Sequence, residues 1–129
     1  MQYLLLIYDN EQRWAAGYDP AELAKYREFG QEFAAAIKGG NALQPTNTAN
    51  TVRVRDGKLV MTDGPFAETK EQLGGYYILE CKDLDEAIHW ASQLPAAPKG
   101  GTGCVEIRPI LDVAELEKQI NQAAGQGAV

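Results

Sequence analysis

Residues Tyr3-Leu4-Leu5-Leu6-Ile7-Tyr8 are apolar at both parities. In an extended chain successive side chains point to opposite faces, so Tyr3, Leu5 and Ile7 share one face and Leu4 and Leu6 the other. Such a strand has to be covered on both sides. Tyr76-Tyr77-Ile78-Leu79-Glu80-Cys81 repeats the pattern. Two strands of this kind in a chain of 129 residues call for one layered domain with the pair at the centre of a sheet. The N-terminal run is six residues long, far short of the roughly 20 needed to cross a bilayer. No basic segment or small-residue cleavage site accompanies it. A cytoplasmic protein with no membrane partner is expected.

Helices are expected between the strands. Asp19 is a candidate N-cap, Pro20 fits the first helical position and Glu22 the capping-box position. Leu23, Tyr26, Phe33 and Ile37 follow at helical spacing with Phe29 beside them, and Gly39-Gly40 reads as the stop. After a polar connection over residues 41–50, Thr51–Arg55 and Lys58–Thr62 alternate with period two around Asp56-Gly57, a tight hairpin signal. A second helix starts at Asp83 with Glu86 three residues on. Its stripe is Leu84, Ala87, Ile88, Ala91 and Leu94, and Pro95 and Pro98 stop it. Gly100–Gly103 reads as a flexible link and Cys104–Ile110 as the last main strand. A short helix is expected from Asp112 or Val113 to about Gln122, giving a domain over residues 1–122 and a frayed tail over 123–129.

Strand, helix, hairpin, strand, helix, strand is an α+β order. With the hairpin taken as an insertion, it is the split βαβ pattern of a ferredoxin-like sandwich. Right-handed crossovers put both helices on one face, so the other face of the two apolar strands needs cover. A second copy of the chain packed sheet against sheet supplies it, and a homodimer is expected. The alternative is that the C-terminal helix folds back over its own sheet. In this topology the first strand separates Cys81 from Cys104. Two strand spacings, about 9–10 Å, exceed disulfide reach, so both thiols are expected free and buried.

The formal net charge of -6 argues against a phosphate backbone as partner, and no Lys/Arg cluster offsets it, so no nucleic-acid role is expected. Spacings for a metal site, a nucleophile elbow or a phosphate-cradling loop are missing, and neither metal nor cofactor is expected.

Leu43-Gln44-Pro45, Thr51–Gly57 and the long stretch Thr62-Asp63-Gly64-Pro65-Phe66-Ala67-Glu68-Thr69-Lys70-Glu71-Gln72-Leu73-Gly74-Gly75-Tyr76-Tyr77 resemble the DGPF branch of the YCII-related family, as do Asp83–Ala87 and Val105–Pro109. The resemblance implies a dimeric α/β barrel made of two ferredoxin-like sheets, with a pocket in each protomer near the dimer interface. It also implies small-molecule chemistry in some relatives, a distant one being a dehydrochlorinase of chlorinated hydroquinones. For some bacterial DGPF proteins it implies an association with extracytoplasmic-function sigma factors. Other YCII-like proteins carry a His–Asp pair with the histidine on the first helix. Here that helix has Tyr26, Arg27, Phe29 and Phe33 and no histidine; His89 belongs to the second helix, beside its core stripe, and is expected to face outward. The pair is not carried over.

The densest set of functional groups is the segment between the hairpin and the next strand. Asp63 is the candidate base there, with Glu68 and with Lys70 as proton donor or anion holder, and their mutual interactions suit acid–base work. Turn chemistry explains the same residues, with Asp63 capping Gly64-Pro65 and Lys70 paired to a neighbouring carboxylate. Candidate ligand-binding residues are Tyr8, Arg53, Glu71 and Tyr77. Arg53 and Arg55 could hold an anion or form an ion-pair face; the tyrosines could aim hydroxyls at a ligand or simply pack. Trp14, after the first strand, could close over a pocket or cover a helix end. The expected function is cofactor-independent lyase- or isomerase-like chemistry beside the dimer interface. The alternative is a non-catalytic ligand-binding or regulatory accessory protein.

Overall fold

A computed structural model describes residues 1–14, 17–67, 69–97 and 103–127. Glu68, Pro98 and most of the expected Gly100–Gly103 link lie outside the described residues. Six strands and three helices follow in the order β1 (Gln2–Asp9), α1 (Pro20–Glu32), β2 (Ile37–Ala42), β3 (Asn50–Arg55), β4 (Lys58–Asp63), β5 (Gln72–Glu80), α2 (Leu84–Ala91), β6 (Cys104–Pro109) and α3 (Val113–Gly127). Four strands form an antiparallel sheet in the order β2-β5-β1-β6, while β3 and β4 pair only with each other. The two apolar strands are central neighbours, with Leu5 opposite Tyr77 and Tyr3 opposite Leu79. This is the ferredoxin-like arrangement, two βαβ units each with a strand of the other between its own.

The helix starts form as their residues dictate. Asp19 accepts a hydrogen bond from the Ala21 amide at 2.9 Å. Asp83 accepts from the Glu86 amide at 2.9 Å, and Glu86 in turn accepts from the Lys82 amide at 3.0 Å. Odd-numbered β1 residues Tyr3, Leu5 and Ile7 join Leu79, Phe29, Ala87, Ala91 and Leu94 in one core. Each large aliphatic side chain buried there contributes about 1.5–3 kcal/mol. The inward face of α2 is Ala87, Trp90 and Ala91, with Leu94 just beyond its end; Leu84 and Ile88, expected in that stripe, are half-exposed. Phe33 meets Trp90 at 5.1 Å between ring centroids. Among the described residues no helix is long and apolar enough to cross a membrane.

The expected end of α1 is displaced. Ile37 is not the last residue of a helical stripe, and Gly39-Gly40 is not a helix stop. α1 ends at Glu32, and Ile37–Ala42 is an edge strand along β5. The edge of β5 presents backbone groups that need partners, and only glycine fits opposite Tyr77. A Cβ on Gly40 would lie 2.7 Å from the Tyr76 carbonyl oxygen and 2.9 Å from Tyr77 Cδ1. α3 also runs past its expected end, to Gly127. The hairpin turns at Asp56 and Gly57, both with positive φ as a tight turn requires. Cys81 is buried, whereas Cys104 is exposed at the start of β6; both are free.

Candidate functional site

Beside β2, on the helix-covered side of the sheet, a cavity of about 610 Å³ opens between α1, the segment after β1 and the β2–β5 edge. Glycines make its floor: Gly40 from β2, Gly74 and Gly75 from β5. The room left by their missing side chains is taken by close neighbours: Tyr77 and the Tyr76 carbonyl at Gly40, Trp14 at Gly74 and the Asn41 carbonyl at Gly75. Trp14 and Tyr18 form one wall, with ring centroids 6.1 Å apart. A Cβ on Gly74 would stand 3.0 Å from Trp14 Cη2, so glycine at this position is what lets the indole lie against the sheet. Leu23 and Tyr26 of α1 form the opposite wall with Tyr77, whose ring meets Phe29 at 5.1 Å. Leu43 and Gln44 make the rim.

The segment carrying Trp14 is pinned at both ends. Glu11 accepts from the Thr46 amide and hydroxyl, both at 2.7 Å, which ties the segment to the loop just past the rim. Arg13 bridges the carboxylates of Asp9 and Glu22, its Nη2 lying 2.6 Å from Glu22 Oε2. Asp9 ends β1 and is 1% exposed, and one of its oxygens also accepts from the Asn10 amide at 2.8 Å. A buried carboxylate thus holds an arginine, and the arginine holds Glu22 at the cavity wall.

Glu22 and Tyr26 are four residues apart on α1 and line the cavity together, with Asp19 one turn earlier. Burial first, then the Glu22 charge, pushes the Tyr26 hydroxyl far above its ordinary 10.0. Burial also raises Tyr77. Both hydroxyls therefore stay protonated at neutral pH and act as hydrogen-bond donors. Their folded-state values lie above the unfolded one, so the stability tied to the neutral form is complete below pH 10.0 and is lost as pH rises beyond it. Tyr26→Phe is expected to flatten the alkaline fall in melting temperature, measured from about pH 8 to about pH 11. Parallel curves for variant and wild type would contradict the burial of that hydroxyl.

Of the residues singled out in the sequence, Trp14 and Tyr77 line this cavity. Asp63 ends β4 and is exposed, as are Arg53, Lys70 and Glu71. Arg53 stacks over Phe66, 5.3 Å from the ring centroid. Past the end of β4 the Gly64 amide donates to the Ala49 carbonyl at 2.7 Å, and the Thr51 hydroxyl to the Gly64 carbonyl at 2.8 Å, which carries the β3–β4 pairing one residue further. Glu68 lies outside the described residues. Tyr8 faces the helix-free side near Glu106, and burial first, then that carboxylate, raises its pKa. Near it the Cys104 thiol lies 3.8 Å from Glu71 Oε2. Sequence reasoning gave Asp19 and Glu22 capping roles only. Their spacing to Tyr26 on one helix face was the available signal.

In the described residues that line the cavity there are two carboxylates and no lysine or arginine. The chain resembles an uncharacterised protein of Rhizobium meliloti (strain 1021), with 37% identity over 115 residues, 85% of this chain and 92% of the relative. It also resembles a solved structure, the 5-chloro-2-hydroxyhydroquinone dehydrochlorinase from Burkholderia phenoliruptrix AC1100 in complex with 2,5-dihydroxybenzoquinone. The TM-score is 0.53 at 14% identity, over 86% of this chain and 94% of that one, a likeness of fold. The model of the YCII-related domain matches residues 1–114. That match spans most of the sequence, and the chain belongs to the YCII-related family.

Proposed function

We propose that this protein binds a neutral, hydroxylated aromatic molecule in the cavity beside α1 and moves a proton on it, without an organic cofactor. The observation that carries this reading is the lining: aromatic walls over a glycine floor, with two carboxylates and no cation among the described residues. Flat rings pack well between Trp14 and Tyr26, and a carboxylate accepts strongly from a ring hydroxyl. An anionic ligand would meet the like charges of Asp19 and Glu22 and find no lysine or arginine among the described lining residues. In the step we envisage, Glu22 takes a proton from the ring hydroxyl or the adjacent carbon. Tyr26, held neutral, donates a hydrogen bond to the oxygen on which negative charge collects. Return of that proton from Glu22 to a different ring atom completes an isomerisation; where the ring carries a leaving group, the electron pair expels it as an anion and the proton stays on Glu22 until water takes it, which completes an elimination. The dehydrochlorinase of similar fold holds a flat hydroxylated ring, which is consistent with a ligand of this shape.

A non-catalytic sensor, which could serve a sigma-factor system, is the second reading. It is favoured by Arg13, which already engages Glu22 Oε2, one of the two oxygens a base would use. Calorimetric titration separates ligand classes: hydroquinone and catechol are expected to bind, benzoate and phenyl phosphate not. Preferred binding of the anions would overturn the proposal. Recovery of unchanged ligand after long incubation would select the sensor.

We further propose that two copies pair through the helix-free face of the sheet as a dimeric barrel. Leu4, Leu6 and Ile78 supply an apolar, incompletely covered surface there. The cavity described above lies on the opposite, helix-covered side. The Thr62–Tyr77 stretch supports placing the chain in the DGPF branch.

A further inference from the structure

The cavity beside α1 is longer than one ring. α1 turns back into β2 through residues 33–36, so the two elements run in opposite directions along it. Tyr26, Gly40 and Tyr77 therefore mark its inner end, and Tyr18, Leu43 and Gln44 its outer end. At about 1.5 Å per helical residue, Asp19 to Tyr26 covers about 10 Å. At about 3.3 Å per strand residue, Gly40 to Leu43 covers the same length. The volume of about 610 Å³ falls in the range of about 300–1,000 Å³ that takes a drug-sized molecule. A hydroquinone held by Glu22 and Tyr26 occupies only the inner part.

The outer part is built of apolar groups on fixed backbone. Its carboxylate, Asp19, caps α1 through the Ala21 amide. Around the opening stand Tyr18, Leu23 and Leu43, exposed by 53%, 47% and 41%. One exposed apolar side chain is ordinary, but three around the mouth of one aromatic-walled cavity mark surface that a ligand covers. Trp14 lies against Gly74 at this level, with the Tyr18 ring 6.1 Å from it. The Leu43 amide donates to the Gly74 carbonyl at 2.9 Å, so the pairing of β2 with β5 continues to the rim. A mouth held this way is preformed, and a ligand loses little in ordering it. We infer that the ligand is a hydroxylated two-ring aromatic molecule. One ring sits between Trp14 and Tyr26 with its hydroxyl toward Glu22, and a second, apolar ring lies outward against Tyr18, Leu23 and Leu43. This rests on the reading of the cavity as a site for a neutral hydroxylated aromatic and adds the second ring as what selects among such molecules.

The test is calorimetric titration of hydroquinone and phenylhydroquinone, in anaerobic buffer, against wild type, Leu43→Ser and Leu59→Ser, with amide shift mapping of wild type by both compounds. Leu59 is a hairpin residue outside the cavity, 70% exposed, and controls for a general loss of apolar surface. Wild type and Leu59→Ser are expected to bind phenylhydroquinone roughly tenfold or more tighter than hydroquinone, as burial of an extra ring requires. Leu43→Ser is expected to cut that ratio by roughly threefold or more. Phenylhydroquinone, and not hydroquinone, should shift the Tyr18, Leu43 and Gln44 amides of wild type. A ratio near one in wild type, with hydroquinone bound, overturns the second ring and leaves the one-ring reading standing. No binding of either compound overturns both. If Leu43→Ser fails to fold or keeps the full preference, the shift map decides: outer amides moved by phenylhydroquinone alone support the second ring, and outer amides unmoved refute it.

Discussion

Asp9→Ala is expected to lower the melting temperature by on the order of 10 °C. Asp9 is 1% exposed at the end of β1, and its carboxylate binds Arg13 and the Asn10 amide. Removing one partner of a buried pair costs about 3–5 kcal/mol, because the other charge is left uncompensated. Arg13 is 36% exposed, so water screens part of that loss and the lower end, about 3 kcal/mol, is expected. The damage should not stop at stability. Arg13 then loses its anchor on β1 and holds Glu22 less firmly, which loosens the segment bearing Trp14. Asp9→Asn retains a hydrogen-bond acceptor of the same shape and should lose less. Urea unfolding of the two variants checks the order. A loss below about 0.5 kcal/mol for Asp9→Ala, the level of an ordinary surface substitution, would refute the network.

The second large effect is on the ligand. Glu22→Gln is nearly isosteric and keeps an oxygen to accept from Arg13, so the fold should survive. It removes a charged acceptor from the cavity wall. Hydrogen bonds to charged groups are worth about 1.5–3 kcal/mol, which corresponds to roughly ten- to 150-fold weaker binding of hydroquinone. Any turnover should fall by on the order of a hundredfold or more, since the base itself is lost. Asp19→Asn serves as the comparison. Asp19 caps α1, so its replacement should shift stability more than affinity. Equal affinity for hydroquinone in Glu22→Gln and wild type would remove Glu22 from the site.

The parts of this molecule legible in the sequence are those with local signals. β1 and β5 announce themselves by being apolar at both parities, and the N-caps Asp19 and Asp83 by residue type and position. β2 was hidden because Ile37-Lys38-Gly39-Gly40-Asn41-Ala42 has neither alternation nor β-branched residues beyond Ile37. Its conformation is imposed by the open edge of β5 and by the close approach that Gly40 permits. The cavity was hidden for a related reason. Its floor is made of Gly40, Gly74 and Gly75, and a run such as Gly74-Gly75 reads as a strand opening rather than as the seat of the Trp14 indole. Asp19 and Glu22 were masked by their fitness as caps, a role only Asp19 fills. The segment from Asp63 to Gln72 stands out by its density of functional groups, yet Asp63, Lys70 and Glu71 are exposed and do not line the cavity. Tyr77 is legible because an aromatic on a central strand has to pack against something, and it both meets Phe29 in the core and lines the cavity.

The most direct measurement is amide shift mapping of the isotope-labelled protein titrated with hydroquinone. Saturable shifts concentrated at Gly40, Asn41, Gly74, Gly75 and the Trp14 indole are the expected result. Shifts centred instead on Asp63 to Gln72 would place the ligand at the segment after β4 and contradict the cavity as the site.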